Sequence, residues 1–72
     1  MKGILYKYID KTTFDIKYAV GRPEDQTSEL AKTSRVAVRL LDDDFKPVID
    51  GNGKEMKRSK RESALTAVGY ID

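Results

Sequence analysis

The sequence predicts an α+β fold: a small antiparallel sheet, built as two hairpins or a meander, packed by a short C-terminal helix. Two observations point to the sheet. Apolar residues alternate with polar ones in several short runs, and the runs are separated by aspartate- and glycine-rich turn signals. A third points to the helix, since Ser59-Lys60-Arg61-Glu62 has the form of a capping box and stands directly before an apolar segment. At 72 residues the chain has room for one domain, residues 1–72. A domain of this size buries only about 60% of the surface its unfolded chain exposes.

Gly3 to Val20 reads as two β-rich runs joined by Asp10-Lys11-Thr12-Thr13. In the second run Phe14, Ile16, Tyr18 and Val20 share one face, opposed by Asp15, Lys17 and Ala19. In the first, Ile4, Tyr6 and Tyr8 oppose Leu5, Lys7 and Ile9. A lysine in the core is costly, so Ile4, Tyr6 and Tyr8 are expected inward. Leu5 and Ile9 then fall on the outer face.

Gly21 to Ser34 breaks this alternation. Pro23 at a first helical position, followed by Glu24 and Asp25, suits a short helix through about Lys32, with a mobile loop as the alternative. Arg35 to Leu41 resumes the strand pattern, with Val36, Val38 and Leu40 on one face and Arg35, Ala37 and Arg39 on the other. Asp42-Asp43-Asp44 is a turn. Phe45 to Ile49 is extended, and Pro47 places it at an edge because it cannot donate to a ladder.

Asp50-Gly51-Asn52-Gly53 is a strong hairpin signal. Two readings follow it. Asn52 and Glu55 would cap a helix from Gly53 to Val68, or Lys54 to Arg58 is a last strand and a helix runs from about Lys60 to Val68. The second is preferred, because extended residues usually flank such a turn. Gly69 would then end the helix, and Ala64, Leu65, Val68 and Ile71 would form its inner face.

Composition narrows the function. With no histidine and no cysteine, the usual general bases, thiol nucleophiles and zinc ligands are missing, so no enzyme, cofactor or metal is expected. The aspartates at 42–44 are carboxylates that could meet a hard cation, but the stretch from Asp50 departs from a calcium loop at Lys54, Glu55 and Arg61. No run approaches the length of a membrane span, and Lys7 interrupts the apolar start, which suggests a soluble cytoplasmic chain.

The 14 basic and 12 acidic residues nearly cancel, so the distribution of charge matters more than its sum. Lys54, Lys57, Arg58, Lys60 and Arg61 cluster, and Lys7, Lys17, Arg35 and Arg39 fall on the outer sheet face. This pattern suggests a small non-catalytic nucleic-acid-binding accessory protein that uses Lys7, Lys17, Arg35, Arg39, Lys57, Arg58, Lys60 and Arg61. The alternative is a protein-binding module, of the kind with which phage or mobile elements modulate a host protein, acting through Leu5, Ile9 and Tyr70 and able to form a homodimer. A three-stranded sheet followed by a C-terminal helix, together with the run Leu5 to Asp10 (LYKYID), resembles the sheet-type DNA-binding domains of plant transcription factors and of some phage and transposon integrases. That resemblance implies a sheet face laid into the major groove.

Overall fold

Residues 2–71 are described by a computed structural model. They form one five-stranded antiparallel sheet: β1 (Gly3–Ile9), β2 (Ile16–Gly21), β3 (Arg35–Leu41), β4 (Lys57–Arg61) and β5 (Thr66–Ile71), in the order β4-β3-β2-β1-β5. The two outermost strands are consecutive in sequence, joined only by a 3₁₀ turn at Glu62–Ala64 and Leu65. Adjacent strands lie about 4.8 Å apart, so a flat sheet would hold β4 and β5 roughly 19 Å from each other. So short a link requires the sheet to curl. Its sense is set by Lys60 of β4, whose Nζ lies 4.3 Å from the ring centroid of Tyr8 on β1 although two strands separate them in the sheet.

Cross-strand pairs share a face, which sorts the side chains. Tyr6 pairs with Ala19, Ala19 with Leu40, and Val36 with Lys60, so Ile4, Tyr6, Tyr8, Ala19, Val36, Val38 and Leu40 line the concave side. Leu5 pairs with Val20, and Tyr18 with both Lys7 and Leu41, so these line the convex side. The inward placement of Ile4, Tyr6 and Tyr8 with Val36, Val38 and Leu40 agrees with the alternation, but Ile16, Tyr18 and Val20 are on the opposite face from them. Antiparallel register sets Tyr18 against Lys7, and a register of the other parity would exchange every side chain of β2. Phe14 precedes β2 and is exposed.

Both faces are therefore partly covered. Ala19 and Val38 are wholly buried inside the curl, while Val20 and Leu41 are buried on the convex side. Two excursions cover that convex side. The first, between β2 and β3, contains a 3₁₀ turn (Pro23–Asp25) and α1 (Ser28–Lys32), whose N-cap is Thr27. The helix expected from Pro23 to Lys32 is thus divided. Gln26 between its parts exchanges two hydrogen bonds with the backbone of Ala37, at 3.1 and 3.0 Å, and so extends the β2–β3 ladder with a side chain.

The second excursion, residues 42–56, contains two turns of one design. In each an aspartate accepts backbone N–H bonds on its Oδ1, Asp42 from Asp44 and Lys46 and Asp50 from Asn52 and Lys54. The residue three positions on has positive φ, 61° at Phe45 and 78° at Gly53. The Asp50–Gly53 hairpin forms as expected. Phe45 to Ile49 makes only isolated bridges, Leu41 to Pro47 and Ile49 to Glu55, and Phe45 packs on Tyr18 with ring centroids 4.9 Å apart.

The expected C-terminal helix is replaced by strand. β4 occupies 57–61 instead of 54–58, and Thr66–Ile71 is β5. Ser59 does not cap a helix; its Oγ accepts from Arg35 Nε at 2.6 Å. The segment Thr-Ala-Val-Gly-Tyr-Ile contains β-branched and aromatic residues and an interior glycine, a composition that suits a strand better than a helix. Pairing with β1 decides the matter. No helix of the described residues is long and apolar enough to cross a membrane.

Candidate nucleic-acid interface

Of the eight cations expected to form a site, Arg39 and Lys57 fall in one group and Arg35, Arg58, Lys60 and Arg61 in another, while Lys7 and Lys17 join neither. Arg39, on the convex face, donates from Nε to Asp25 Oδ2 at 2.9 Å, from Nη2 to Asp25 Oδ1 at 3.1 Å and from Nη1 to Glu55 Oε2 at 2.6 Å. Arg22 lies 3.3 Å from the same Asp25 oxygen, and Lys57 Nζ lies 3.5 Å from Oδ1. Asp25 is almost enclosed, its side chain 5% exposed, and hydrogen bonding from Arg39 is the main reason its pKa is held down to about 2. The same carboxylate raises the pKa of Arg39. The expected basic sheet face is thus neutralised in its middle by a carboxylate from each excursion. Covered and curved, it does not form the open three-stranded platform that the major-groove resemblance implies. Lys17, paired with Tyr8, points to the other side from Lys7.

The second group stays together. Arg35, Arg58, Lys60 and Arg61 line a cleft of about 420 Å³ between the β1–β2 turn and the β4 edge, joined by Lys11 and Tyr8. Five cations therefore meet one carboxylate, Asp10. Backbone N–H groups of Thr12 and Thr13, more than the neighbouring lysines, hold the Asp10 pKa below its usual range. Tyr8 forms part of the wall, and burial raises its pKa. Lys60 lies over its ring, an arrangement stabilised by the ring's quadrupole. Arg35 is held in place by two bonds to Ser59, to its Oγ and to its carbonyl at 2.7 Å.

Sequence reasoning missed Lys11 and Tyr8 here. Lys11 lies in a turn, far in sequence from the 54–61 cluster, and Tyr8 reads as a core residue by alternation alone. Beside the cleft, Ile9, Phe14 and Ile16 are exposed, with Ile9 and Ile16 directly paired. Phe14 has φ of 62°, a left-handed conformation that a bulky residue seldom adopts. Leu5, Ile9 and Tyr70 do not form one surface: Leu5 is half-buried, Ile9 ends β1, and Tyr70 lies with Ile4 near its start.

Among the described residues no three histidine, cysteine or acidic side chains converge to hold a metal ion. The aspartates of 42–44 include a turn cap, Asp42. No known protein family, curated protein or solved structure matches the chain.

Proposed function

We propose that this chain is a small non-catalytic nucleic-acid-binding protein, and that its ligand is a single strand held in the Tyr8–Lys60 cleft. One observation carries the reading: Lys11, Arg35, Arg58, Lys60 and Arg61 surround an aromatic wall with only Asp10 opposing them. Guanidinium and ammonium groups around a ring suit a phosphate chain whose bases are free to stack. A concave cleft takes a flexible strand, whereas a duplex is read by an element that protrudes into its groove. The exposed Phe14 beside the cleft offers a second ring.

The test is binding of a fluorescent single strand, followed by anisotropy at two salt concentrations, with a duplex of the same length beside it. About four phosphate contacts give a slope near −0.7 per contact, so binding weakens on the order of 50-fold between 50 and 200 mM salt. Replacing Arg58 and Lys60 by alanine should weaken binding at least tenfold while leaving the circular dichroism unchanged. Absence of binding at low salt, or binding indifferent to salt, would refute the reading. A protein-binding module is the second reading, favoured by the exposed patch of Ile9, Phe14 and Ile16. Under that reading Phe14→Ser would abolish a protein interaction that salt does not weaken.

A further inference from the structure

The Tyr8–Lys60 cleft holds one anion among its cations. Asp10 lines it together with Lys11, Arg35, Arg58, Lys60 and Arg61, where a carboxylate works against the binding of a phosphate chain. Capping the β1–β2 turn occupies only half of it. Oδ1 accepts from the backbone N–H of Thr12 at 2.8 Å and of Thr13 at 3.3 Å, and among the described residues Oδ2 takes no hydrogen bond. A serine or asparagine would cap the turn without adding a charge. The main chain of Asp10 is pinned as well, its N–H donating to the carbonyl of Asp15 at 2.9 Å and its carbonyl accepting from the N–H of Phe14 at 2.7 Å. The free oxygen is therefore held in a fixed place. The turn amides above all, with help from Lys17 and Lys60, keep the group ionised, so it acts as an acceptor only.

We infer that Asp10 makes the cleft selective for RNA: its free carboxylate oxygen accepts a hydrogen bond from the 2′-hydroxyl of a nucleotide whose base lies on Tyr8. The inference rests on the single-strand reading of this cleft and names its ligand. An ionised carboxylate repels phosphate, so it can face only the part of a nucleotide that donates. Within a strand two parts do, the base edges and, in ribose alone, the 2′-hydroxyl. The sugar links a base on the ring to a phosphate among Arg35, Arg58 and Arg61, whereas the donors of the base edge point away from that link. Asp10 stands at the same junction, two residues after Tyr8 and close enough to the Lys60 ammonium over the ring to feel its charge. It therefore meets the sugar ahead of the base edge. A hydrogen bond to a charged acceptor favours the ribose strand by about tenfold.

Anisotropy of labelled oligouridylate and oligodeoxyuridylate of equal length tests this on the unaltered chain, because the two strands differ only at the 2′ position. The ribose strand should bind about tenfold tighter at each salt concentration, with equal salt slopes, since both strands make the same phosphate contacts. A 2′-fluoro strand, which keeps the ribose pucker without a donor, should bind like the deoxy strand. Asp10→Ser retains a hydroxyl to cap the turn and removes the second oxygen. That variant should bind ribose and deoxyribose strands nearly alike, and the deoxy strand more tightly than the wild type does, because an anion has left the cleft. Absence of binding by every strand would refute the nucleic-acid reading and this inference with it. Equal binding of ribose and deoxyribose strands by the wild type, a 2′-fluoro strand bound as tightly as ribose, or a preference that Asp10→Ser leaves intact would refute this inference alone. So would a preference for oligodeoxycytidylate over oligodeoxyuridylate in place of the ribose preference, the mark of a carboxylate that reads a base amine.

Discussion

Replacing Asp25 by asparagine tests whether the convex-side charge network stabilises the fold. The substitution keeps the size of the side chain but removes the charge that two arginines share. A pKa lowered from 3.8 to about 2 is a difference of about 1.8 units, or roughly 2.4 kcal/mol at about 1.36 kcal/mol per unit. The outer members of the network are open to water, Lys57 in particular, so screening reduces this to about 1–2 kcal/mol. For a domain of this length that is a fall in Tm of roughly 5–15 °C. The sign with pH follows from the direction of the shift. A carboxylate with a depressed folded-state pKa contributes its full stability above the unfolded value near 3.8 and loses it as pH falls through about 2. Urea unfolding of the wild type and Asp25→Asn should therefore differ by a constant amount at pH 5 to 7, and the difference should shrink from about pH 4 and nearly vanish near pH 2. A difference that stays the same at every pH would show that the variant acts through packing and not through charge.

Other outcomes follow from close contacts and backbone conformation. A Cβ added at Gly21 would lie 2.7 Å from Cε2 of Tyr6, so Gly21→Ala should displace the ring and destabilise by about 1–2 kcal/mol, read from thermal melts. An unchanged Tm would mean that the ring moves freely. Phe14 and Phe45 have the same left-handed φ, yet Phe14 is 80% exposed while Phe45 packs on Tyr18. Phe14→Gly should change stability by less than about 0.5 kcal/mol, since relief of the backbone offsets the added chain entropy. Phe45→Gly should cost about 1–2 kcal/mol because buried apolar area is lost. Equal effects in urea unfolding would contradict the difference in packing.

How far the sequence could be read depended on whether a feature is local. The Asp50–Gly53 turn was legible because a carboxylate, two glycines and chain direction meet within four residues. The strands β1 and β3 were legible for the same reason, since alternation shows itself over six or seven positions. The last third of the chain was not. Ala64, Leu65, Val68 and Ile71 fall at helical spacing, yet Val68 is half-exposed on a strand. Both periods fit so short a run, and the pairing of β5 with β1 spans nearly the whole chain. Three of the site cations, Arg58, Lys60 and Arg61, were legible as a cluster and Arg35 was expected on the sheet face, but the contribution of Tyr8 and Lys11 depends on the curl that brings β1 to β4.

Local chain chemistry accounts for the β-rich character, the turns, the lack of histidine and cysteine chemistry, and the basic run of β4. It took the folded chain to place the apolar side of β2 on the convex face, to neutralise Arg39 with Asp25 and Glu55, and to leave one edge of the sheet guarded by charge and the other bare. The physical reason is range. Turn chemistry and alternation act between neighbours in the chain, whereas register, curl and charge pairing depend on residues that only folding brings together.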